Sequence, residues 1–150
     1  MMDFNGTVEI AAPRQAVWDL LLNFEELATC GPGVQSIERL DETHARVRAK
    51  VGVAFMTMGF TIDLELVETE APDRAVIRAT GSASGNQVDA TGQMRLSGPA
   101  DGPTTMDWSA TVDIHGSLAG VGSRMIEGTA AKLIDQTFDC VRAKLAAAAA

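Results

Sequence analysis

The regular alternation of apolar and polar residues from about position 44 to position 115 constrains the fold of this chain more than any other feature. One face of the first alternating run is apolar and consists of Val47, Ala49, Val51, Val53 and Phe55. Its other face carries Arg46, Arg48 and Lys50. A two-residue period with one apolar face is typical of an antiparallel strand that is buried on one side.

Four more runs repeat this pattern, and turn signals separate them at residues 41–42, 71–73, 84–86 and 98–103. Their apolar faces are Phe60, Ile62, Leu64 and Leu66, then Ala75, Ile77, Ala79 and Gly81, then Val88, Ala90, Gly92, Met94 and Leu96, and finally Met106, Trp108, Ala110, Val112 and Ile114. Short connections between such runs predict an antiparallel meander. Two further strands, near residues 4–10 and 36–40, complete a predicted sheet of about seven strands.

Helical periodicity occurs on either side of this meander. Residues 11–30 predict short helices, with Pro13 suited to a first helical turn and Val17, Leu20, Leu21 and Phe24 on one side. A long helix is predicted from about residue 118 to residue 146, with a stripe formed by Leu118, Val121, Met125, Ala130, Leu133, Thr137, Phe138, Val141 and Leu145. The fold class that follows is α+β, a curved antiparallel sheet with two short helices and the long C-terminal helix over its concave face.

Composition and charge exclude several classes of function. The net charge of −8 argues against nucleic-acid binding, which needs clustered Lys and Arg. Cys30 and Cys140 are far apart and not in metal-ligand spacing, which predicts reduced thiols in a cytosolic protein and disfavours a disulfide. The N-terminus has no signal-peptide pattern, and no apolar run approaches the ~18 residues of a membrane span. We therefore expect a protein that is neither exported nor inserted in a bilayer.

The predicted concave face has an excess of small residues, which points to a cavity. They are Ala49, Ala75, Ala79, Gly81, Ala90, Gly92 and Ala110. Such side chains are too small to fill the space between a curved sheet and a helix at normal packing density. Two interpretations remain open: the helix packs closely onto the sheet, or an apolar ligand fills the gap.

No residue pattern predicts catalysis, a metal site or a tightly bound cofactor. The inward faces of the five runs carry no titratable residue, whereas acid–base catalysis needs one beside the substrate. His44 and His115 are predicted at the surface, and the separated histidines and cysteines form no metal-ligand pattern. Polar candidates for ligand contact are Asn23, Cys30, Ser123, Thr129 and Thr137, although local hydrogen bonds are their more common role. Arg124 either pairs with an acidic neighbour such as Glu127 or lies at the cavity mouth.

The order of predicted elements and four motifs resemble one known family. The motifs are VEIAAPRQAVWDLL near the N-terminus, CGPGV at 30–34, VGV at 51–53 and GSLAGVGSRMIEG at 116–128. Together they resemble the CoxG family of carbon monoxide dehydrogenase subunits, within the START/Bet v 1-like (SRPBCC) helix-grip superfamily. The first motif marks the superfamily, whereas Pro32-Gly33 combined with G-x-L-x-x-x-G-x-R at 116–124 narrows the resemblance to CoxG-like proteins.

The resemblance implies a single helix-grip domain over residues 1–150, with a cavity that holds a hydrophobic ligand such as an isoprenoid quinone or another lipid. It also implies assistance to a molybdenum hydroxylase of the CO dehydrogenase type and coupling of that enzyme to the membrane. The chain departs from the family pattern in having Gly31 where the loop more often reads Cys-Ile-Pro-Gly, and in lacking a membrane-binding C-terminal tail. We therefore expect a cytoplasmic protein with at most transient contact at the inner face of the membrane.

The inward faces of the strands and the stripe of the long helix give the residues expected to line the cavity, and the resemblance places its portal. The predicted cavity lining is Val51, Val53, Phe55, Phe60, Ile62, Leu64, Ile77, Ala79, Gly81, Ala90, Gly92, Met94, Trp108, Ala110, Val112, Met125, Leu133 and Phe138. The predicted portal is Gly31, Pro32, Gly33, Val34, Met56, Met58, Leu118, Val121 and Arg124.

The stretch VGVAFMTMGF at 51–60 is unusually apolar for the tip of a hairpin, whose turn we predict at residues 57–59. Methionine is flexible and suits an adaptable apolar rim around a portal. We expect one of Met56 and Met58 to fold inward and the other to form part of that rim.

The leading functional hypothesis is a non-enzymatic carrier or accessory protein that binds a quinone or lipid. One alternative is an enzyme similar to the polyketide cyclases and dehydratases of the superfamily, which a charged group in the cavity would favour. The other is an assembly or recruitment factor, which would use an exposed apolar patch even with the cavity blocked.

Overall fold

The computed structural model describes residues 2–53 and 56–149, which form one antiparallel sheet and its helices. The strands are β1 (Met2–Ile10), β2 (Val34–Arg39), β3 (His44–Val53), β4 (Met56–Glu70), β5 (Arg74–Ala83), β6 (Asn86–Ser97) and β7 (Thr104–His115). Their order in the sheet is β1-β7-β6-β5-β4-β3-β2. Strands β2 to β7 therefore form the predicted meander, and β1 pairs with the last of them.

The predicted alternation of faces is confirmed. In β3, Ala45, Val47 and Ala49 are at most 5% exposed, whereas Arg48 and Lys50 are exposed. The register then sets the small residues of neighbouring strands side by side, since Ala110 lies opposite Gly92 and Ala90 lies opposite Ala79. We call these four residues the trough, because they leave little side-chain volume at the centre of the concave face.

The helices are α1 (Arg14–Leu22), α2 (Phe24–Ala28), a 3₁₀ helix (Ser117–Val121) and α3 (Ser123–Ala149). The predicted inner side of the first two is confirmed, because Val17, Leu20, Leu21 and Phe24 are all buried. Asn23 separates α1 from α2, and its Oδ1 accepts a hydrogen bond from the Glu26 backbone N–H at 3.2 Å, which caps α2. The α+β helix-grip architecture predicted from the pattern is the observed one.

The C-terminal helix begins later than predicted. Gly122 has a φ of +112°, so the chain breaks between the 3₁₀ helix and α3 instead of forming one helix from residue 118. Asn86 holds the 3₁₀ helix in place, because its Oδ1 accepts a hydrogen bond from the Leu118 backbone N–H at 2.6 Å. This break shifts the helical phase, and it buries Ile126 while leaving Met125 46% exposed.

The turn of the β3–β4 hairpin also differs from the prediction. The two strands pair residue by residue as far as Val53 opposite Met56, so residues 57–59 lie within β4 and form no turn. Residues 54–55, between the two strands, lie outside the described residues. Because Met58 lies opposite Val51, it shares the concave face with the predicted core residues.

The prediction of two reduced thiols is wrong, since Cys30 and Cys140 form a disulfide with a Cα–Cα distance of 5.4 Å. The bond joins the segment after α2 to the second half of α3. A separation of 110 residues carries no information about distance in the fold, so the sequence did not reveal the pair.

Most of the buried apolar residues form two clusters. The first, the α1-side cluster, combines one end of the sheet with α1 and the end of α3, and consists of Val8, Ile10, Ala12, Val17, Trp18, Leu20, Leu21, Cys30, Ala75, Met94, Leu96, Met106, Val141 and Leu145. The second, the hairpin-side cluster, consists of Phe60, Ala83, Leu118 and Ile126. The centre of the concave face lies between them.

Candidate functional site

The centre of the concave face is not closely packed. A row of residues on four neighbouring strands, Val112, Ala90, Ala79 and Leu64, is only half-buried although α3 lies over this face. Leu133, at the middle of α3, is half-buried as well. Close packing of the helix onto small residues would bury these side chains. The helix is therefore held near both ends of the concave face and stands off from its centre.

A cavity of about 180 Å³ lies between the trough and the α1-side cluster. It is lined by Leu21, Leu27, Ala75, Ile77, Gly92, Gln93, Met94, Met106, Trp108, Ser109, Ala110 and Phe138. Gly92 is central to it, because a Cβ added there would find the carbonyl oxygen of Ser109 at 3.8 Å and no other atom within 4 Å. The missing side chain at this position thus leaves open space.

The structure brings together six of the residues predicted to line a cavity, namely Ile77, Gly92, Met94, Trp108, Ala110 and Phe138. The prediction missed Leu21, Leu27, Ala75 and Met106. The alternation did place Ala75 and Met106 on the inward faces of their strands, although they are not among the predicted lining residues. The contribution of α1 and α2 depends on how those helices dock, which no local pattern records.

Other predicted lining residues lie elsewhere on the concave face. Phe60 belongs to the hairpin-side cluster, and Val51 and Ile62 pack against it. Gly81 is in the same region, since a Cβ there would contact Ile62 and Phe60 at 3.7 Å. Leu64, Ala79, Ala90, Val112 and Leu133 are the half-buried residues of the unfilled centre. Met125 faces solvent, which corrects its assignment to the cavity. Phe55 lies outside the described residues, and the side chain of Val53 is not described.

The predicted portal residues divide into different roles. Gly31, Pro32, Gly33 and Val34 precede and begin β2, and the Gly33 carbonyl accepts a hydrogen bond from the Lys50 backbone N–H at 2.9 Å. Leu118 is 4% exposed and therefore belongs to the core, not to a rim. Met58 packs against the hairpin-side cluster, to which Leu118 belongs. Arg124 is exposed. The side chains of Met56 and Val121 are not described.

The cavity lining is almost entirely apolar. Its two polar residues, Gln93 on β6 and Ser109 on β7, have the outward parity of their strands, and Gln93 Nε2 donates to Ser109 Oγ at 3.2 Å on that outer face. The hydroxyls of Thr129 and Thr137 donate to helix carbonyls four residues earlier, at 3.0 and 2.7 Å, as their local role predicts. Within the described part of the chain, the lining holds no Asp, Glu, His, Lys or Arg.

Trp108 forms the wall between this cavity and the edge of the sheet. Its ring lies 5.5 Å from that of Phe138, and both side chains also line a groove between β1 and α3. Gly6 in β1 makes room for the indole, because a Cβ at Gly6 would lie 2.9 Å from Trp108 Nε1. An aromatic pair thus closes the cavity on the β1 side.

The described residues offer neither a membrane-spanning helix nor a metal site. Among residues 2–53 and 56–149, no helix is long and apolar enough to cross a membrane. The same residues contain no group of three or more His, Cys, Asp or Glu side chains placed to hold a metal ion.

A titratable constellation with clear pKa shifts lies at the β2–β3 turn, away from the cavity. His44 Nδ1 lies 2.9 Å from Asp41 Oδ1, and its Nε2 lies 3.5 Å from a Glu65 oxygen. The hydrogen bond with His44, followed by that from the Thr43 backbone N–H, lowers the pKa of Asp41 to about 2. The hydrogen bond to Asp41 raises the pKa of His44 above 6.5. This arrangement stabilises a turn and is not placed to act on a ligand.

The shifts define a pH window for this contact. The contribution of Asp41 to stability is present above pH 3.8 and is lost as the pH falls through about 2. The contribution of His44 is present below pH 6.5 and is lost as the pH rises through the raised pKa of the ring.

We expect NMR titration to place the midpoint of His44 above pH 6.5, and we expect Asp41→Asn to bring that midpoint back towards 6.5. Glu42→Gln is the control, because it removes the same charge from the same turn and leaves the contact between Asp41 and the His44 ring intact. This variant should keep the His44 midpoint at its raised value. An equal effect of both variants would contradict the conclusion that Asp41 raises the pKa of His44.

A curved antiparallel sheet that a long helix grips over an apolar cavity defines a helix-grip protein of the START class. The chain belongs to the CoxG family of carbon monoxide dehydrogenase subunits, whose model matches residues 6–146. This match confirms the resemblance that the sequence motifs indicated.

Several solved structures share the fold. A conserved protein from Geobacillus kaustophilus is 23% identical, with a TM-score of 0.89 over 97% of this chain and 95% of its own. A START superfamily protein from Mycobacterium smegmatis is 12% identical, with a TM-score of 0.72 over 95% and 96% of the two chains. An aromatase/cyclase from a Streptomyces species is 21% identical, with a TM-score of 0.68 over 96% and 93%. No curated protein sequence matches the chain significantly. At these identities, the structural similarities establish the fold alone.

Proposed function

We propose that this protein is a non-enzymatic carrier that binds the ring of an apolar ligand, an isoprenoid quinone or a related lipid, between the sheet and α3. The observation that carries the proposal is the apolar cavity beside the trough, with open space above Gly92. An empty apolar space costs the packing contacts that its lining would otherwise make, so its retention is explained most simply by a ligand.

The volume of the cavity supports a ring as the bound part. An apolar cavity of roughly 150 Å³ accommodates a benzene ring, whereas sites for drug-sized ligands span roughly 300–1,000 Å³. The cavity of about 180 Å³ is thus the size of one ring and too small for a long tail. The half-buried row, which shares Ala79 and Ala90 with the trough, offers a continuation along which an isoprenoid tail extends if α3 shifts outward.

The second candidate is an enzyme, because an aromatase/cyclase and a di-domain ARO/CYC protein share the fold. Acid–base chemistry on a polyketide would need a titratable group at the ligand. In the described part of this chain the lining holds no Asp, Glu, His, Lys or Arg, and the side chains of its two polar residues, Gln93 and Ser109, lie on the outer face of the sheet. That composition favours binding over catalysis.

Family membership extends the proposal to a partner. A protein of the CoxG family that carries a quinone is suited to serve a molybdenum hydroxylase of the carbon monoxide dehydrogenase type, because such an enzyme must pass electrons to an acceptor. The carrier would bring the acceptor to the enzyme and couple it to the membrane. In the alternative role of a pure assembly factor, the cavity would stay empty.

Filling the cavity tests the proposal. We expect Gly92→Leu to weaken binding of a short-chain isoprenoid quinone by at least ~10-fold, or ~1.4 kcal/mol, because the new side chain projects into the ring site. Binding is measured in detergent micelles by quenching of Trp108 fluorescence, in a Trp18→Phe background that removes the second indole.

Thr91→Leu is the matched control, because Thr91 precedes Gly92 in β6 and is exposed on the opposite face of the sheet. This variant should bind the quinone like the parent protein. Equal affinity of both variants would place the ligand elsewhere, and no quinone or lipid binding by the parent protein would leave the assembly role as the better account.

A further inference from the structure

The two outer strands of the sheet, β1 and β2, differ in how well their free edges are protected. β2 has six residues, its pairing with β3 shifts register between Val34 and Ser36, and it ends in the charged residues Glu38 and Arg39. A short, irregular and charged strand is a common protection of a sheet edge against further pairing. β1 has nine residues and pairs with β7 in continuous register over its whole length. The free edge of β1 is therefore long and regular, as pairing with another strand requires.

A groove runs along this edge, between β1 and α3. It consists of two adjoining cavities of about 350 and 450 Å³, which share Asn5, Trp108 and Asp135. On the strand side, the consecutive residues 3–8 line it. Because consecutive side chains of a strand point to opposite faces, a groove that all of these residues line follows the edge of the strand, where the main chain is accessible. We call it the β1–α3 groove.

One face of α3 forms the other side of the β1–α3 groove. Its residues have the i, i+3, i+4, i+7 spacing of a single helix face, and they are Ala131, Ile134, Asp135, Phe138, Asp139 and Arg142. Trp108 forms the floor, since its indole lies against Gly6. A free strand edge beside such a cleft is where extended peptides bind as an additional strand, with main-chain hydrogen bonds for affinity and pockets for alternate side chains.

The β1–α3 groove is acidic. Asp3, Asp135 and Asp139 line it, against the single cation Arg142, and all four side chains belong to exposed residues. Within the part of the chain that the structure describes, these three carboxylates make no salt bridge. Their charge is therefore available to a cationic occupant of the groove.

We propose that an extended, basic segment of a partner protein binds in the β1–α3 groove and joins the seven-stranded sheet as a further strand beside β1. Its main chain pairs with the free edge of residues 3–8. Apolar side chains on one face of the segment pack on Trp108 and Ile134, and its Lys or Arg side chains meet Asp135 and Asp139. Hydrogen bonds from such cations to carboxylates are among the strong ones in proteins.

A second copy of this chain suits the same edge less well. Pairing of β1 with the β1 strand of a copy would set two acidic grooves against each other, in molecules that each carry a net charge of −8. Like charges that face each other across paired strands destabilise the pair. A basic segment replaces this repulsion with attraction, which is why we assign the edge to a different protein.

The β1–α3 groove lies outside the ligand cavity but shares two of its walls. Trp108 and Phe138 line both. A segment in the groove therefore contacts the aromatic pair that closes the cavity. The segment can bind whether or not the cavity holds a ligand, so this inference does not rest on the carrier function.

The test uses a short synthetic peptide of alternating Val and Lys, with blocked ends, and the intact protein. Binding is measured by Trp108 fluorescence in the Trp18→Phe background. We expect the peptide to bind and to slow amide hydrogen exchange at alternate residues of the 3–8 segment, with β2 unchanged. A peptide that is N-methylated at two adjacent central residues loses a donor on each edge at unchanged charge. It should bind at least ~10-fold more weakly.

Two double variants test the acidic side of the groove. Asp135→Asn combined with Asp139→Asn should weaken binding of the unmodified peptide by about 5-fold or more, as the loss of two exposed ion pairs predicts. The matched control is Asp101→Asn combined with Glu127→Gln, which removes the same charge at exposed positions outside the groove. It should bind the peptide like the parent protein. Thermal unfolding of both variants shows that each is folded.

Each other outcome overturns the inference. Equal binding of the N-methylated peptide would exclude strand addition, and equal losses in both double variants would show a response to net charge alone. Protection of β2 amides would move the contact to the other edge. A parent protein that sediments as a dimer, with β1 amides protected before peptide is added, would assign the edge to a second copy. No binding at millimolar peptide would also contradict the proposal, because main-chain pairing does not depend on the sequence of the segment.

Discussion

Cys30→Ala is expected to lower the free energy of unfolding by about 4–5 kcal/mol. The disulfide closes a loop of 110 residues, and cross-links over loops of about 100 residues restrict the unfolded chain by roughly that amount. Chemical denaturation of the oxidised parent protein and the variant measures the difference. In a domain of this size, the melting temperature should fall by about 10–20 °C.

The two cysteines provide their own control. Cys140→Ala and the double variant should have the same stability as Cys30→Ala, because each removes the one cross-link. Reductant should bring the parent protein close to the variants and leave the variants unchanged. A parent protein that is indifferent to reductant and as stable as the variants would show that the thiols are not joined.

Gly33→Ala is expected to cost about 3 kcal/mol. Gly33 has a φ of +79°, which costs a side-chain-bearing residue roughly 1–2 kcal/mol. In addition, an added Cβ would overlap the carbonyl oxygen of Lys50, so the loop must move away from β3. That movement breaks the hydrogen bond from the Lys50 backbone N–H to the Gly33 carbonyl, which contributes about 1 kcal/mol.

Gly85→Ala separates the two causes. Gly85 has the same φ of +79°, but an added Cβ would meet no atom within 4 Å. This variant should lose only the roughly 1–2 kcal/mol that belongs to the backbone conformation. If both variants lost the same stability in denaturant titrations, contact between the Pro32-Gly33 loop and β3 would not explain why glycine occupies position 33.

The disulfide and the hairpin-side cluster hold α3 over the sheet at two separate points. Near its C-terminal end the helix is fastened by the Cys30–Cys140 bond, and near its start Ile126 packs with Phe60 and Leu118. Between these points, Leu133 of the helix is half-buried, as are the residues at the centre of the concave face. A helix fixed at both ends can stand off from the sheet in the middle without loss of the fold, which is the condition for a ligand site there.

The sequence predicted the sheet well because a strand pattern is local. A two-residue period indicates which face of a strand is buried, and turn residues indicate where each strand ends. Neither signal depends on contacts with distant parts of the chain. The same pattern identified Ile77, Gly92 and Ala110 as members of a face with too little side-chain volume. The family resemblance rested on short motifs and was confirmed over residues 6–146.

The errors share a different origin. Met125 was placed inward because the predicted helix ran unbroken from residue 118, whereas Gly122 interrupts it and resets the phase. Met58 was placed near a turn because the segment reads as a hairpin tip, although strand pairing continues past it. In each case a backbone conformation or a strand register places residues a few positions away from where the local pattern predicts. A shift of that size changes which face of the helix or strand a side chain occupies.

By itself, the sequence determined the fold class, the meander, the apolar face and the excess of small residues on that face, because each follows from patterns within a few residues along the chain. Only the tertiary structure decided that Cys30 meets Cys140, that Phe60, Leu118 and Ile126 fill one half of the concave face, and that Leu21 and Phe138 meet over a cavity in the other half. These outcomes are distances between residues far apart in the chain, and they depend on how the helices dock on a curved sheet. A one-dimensional pattern of polarity carries no such distances.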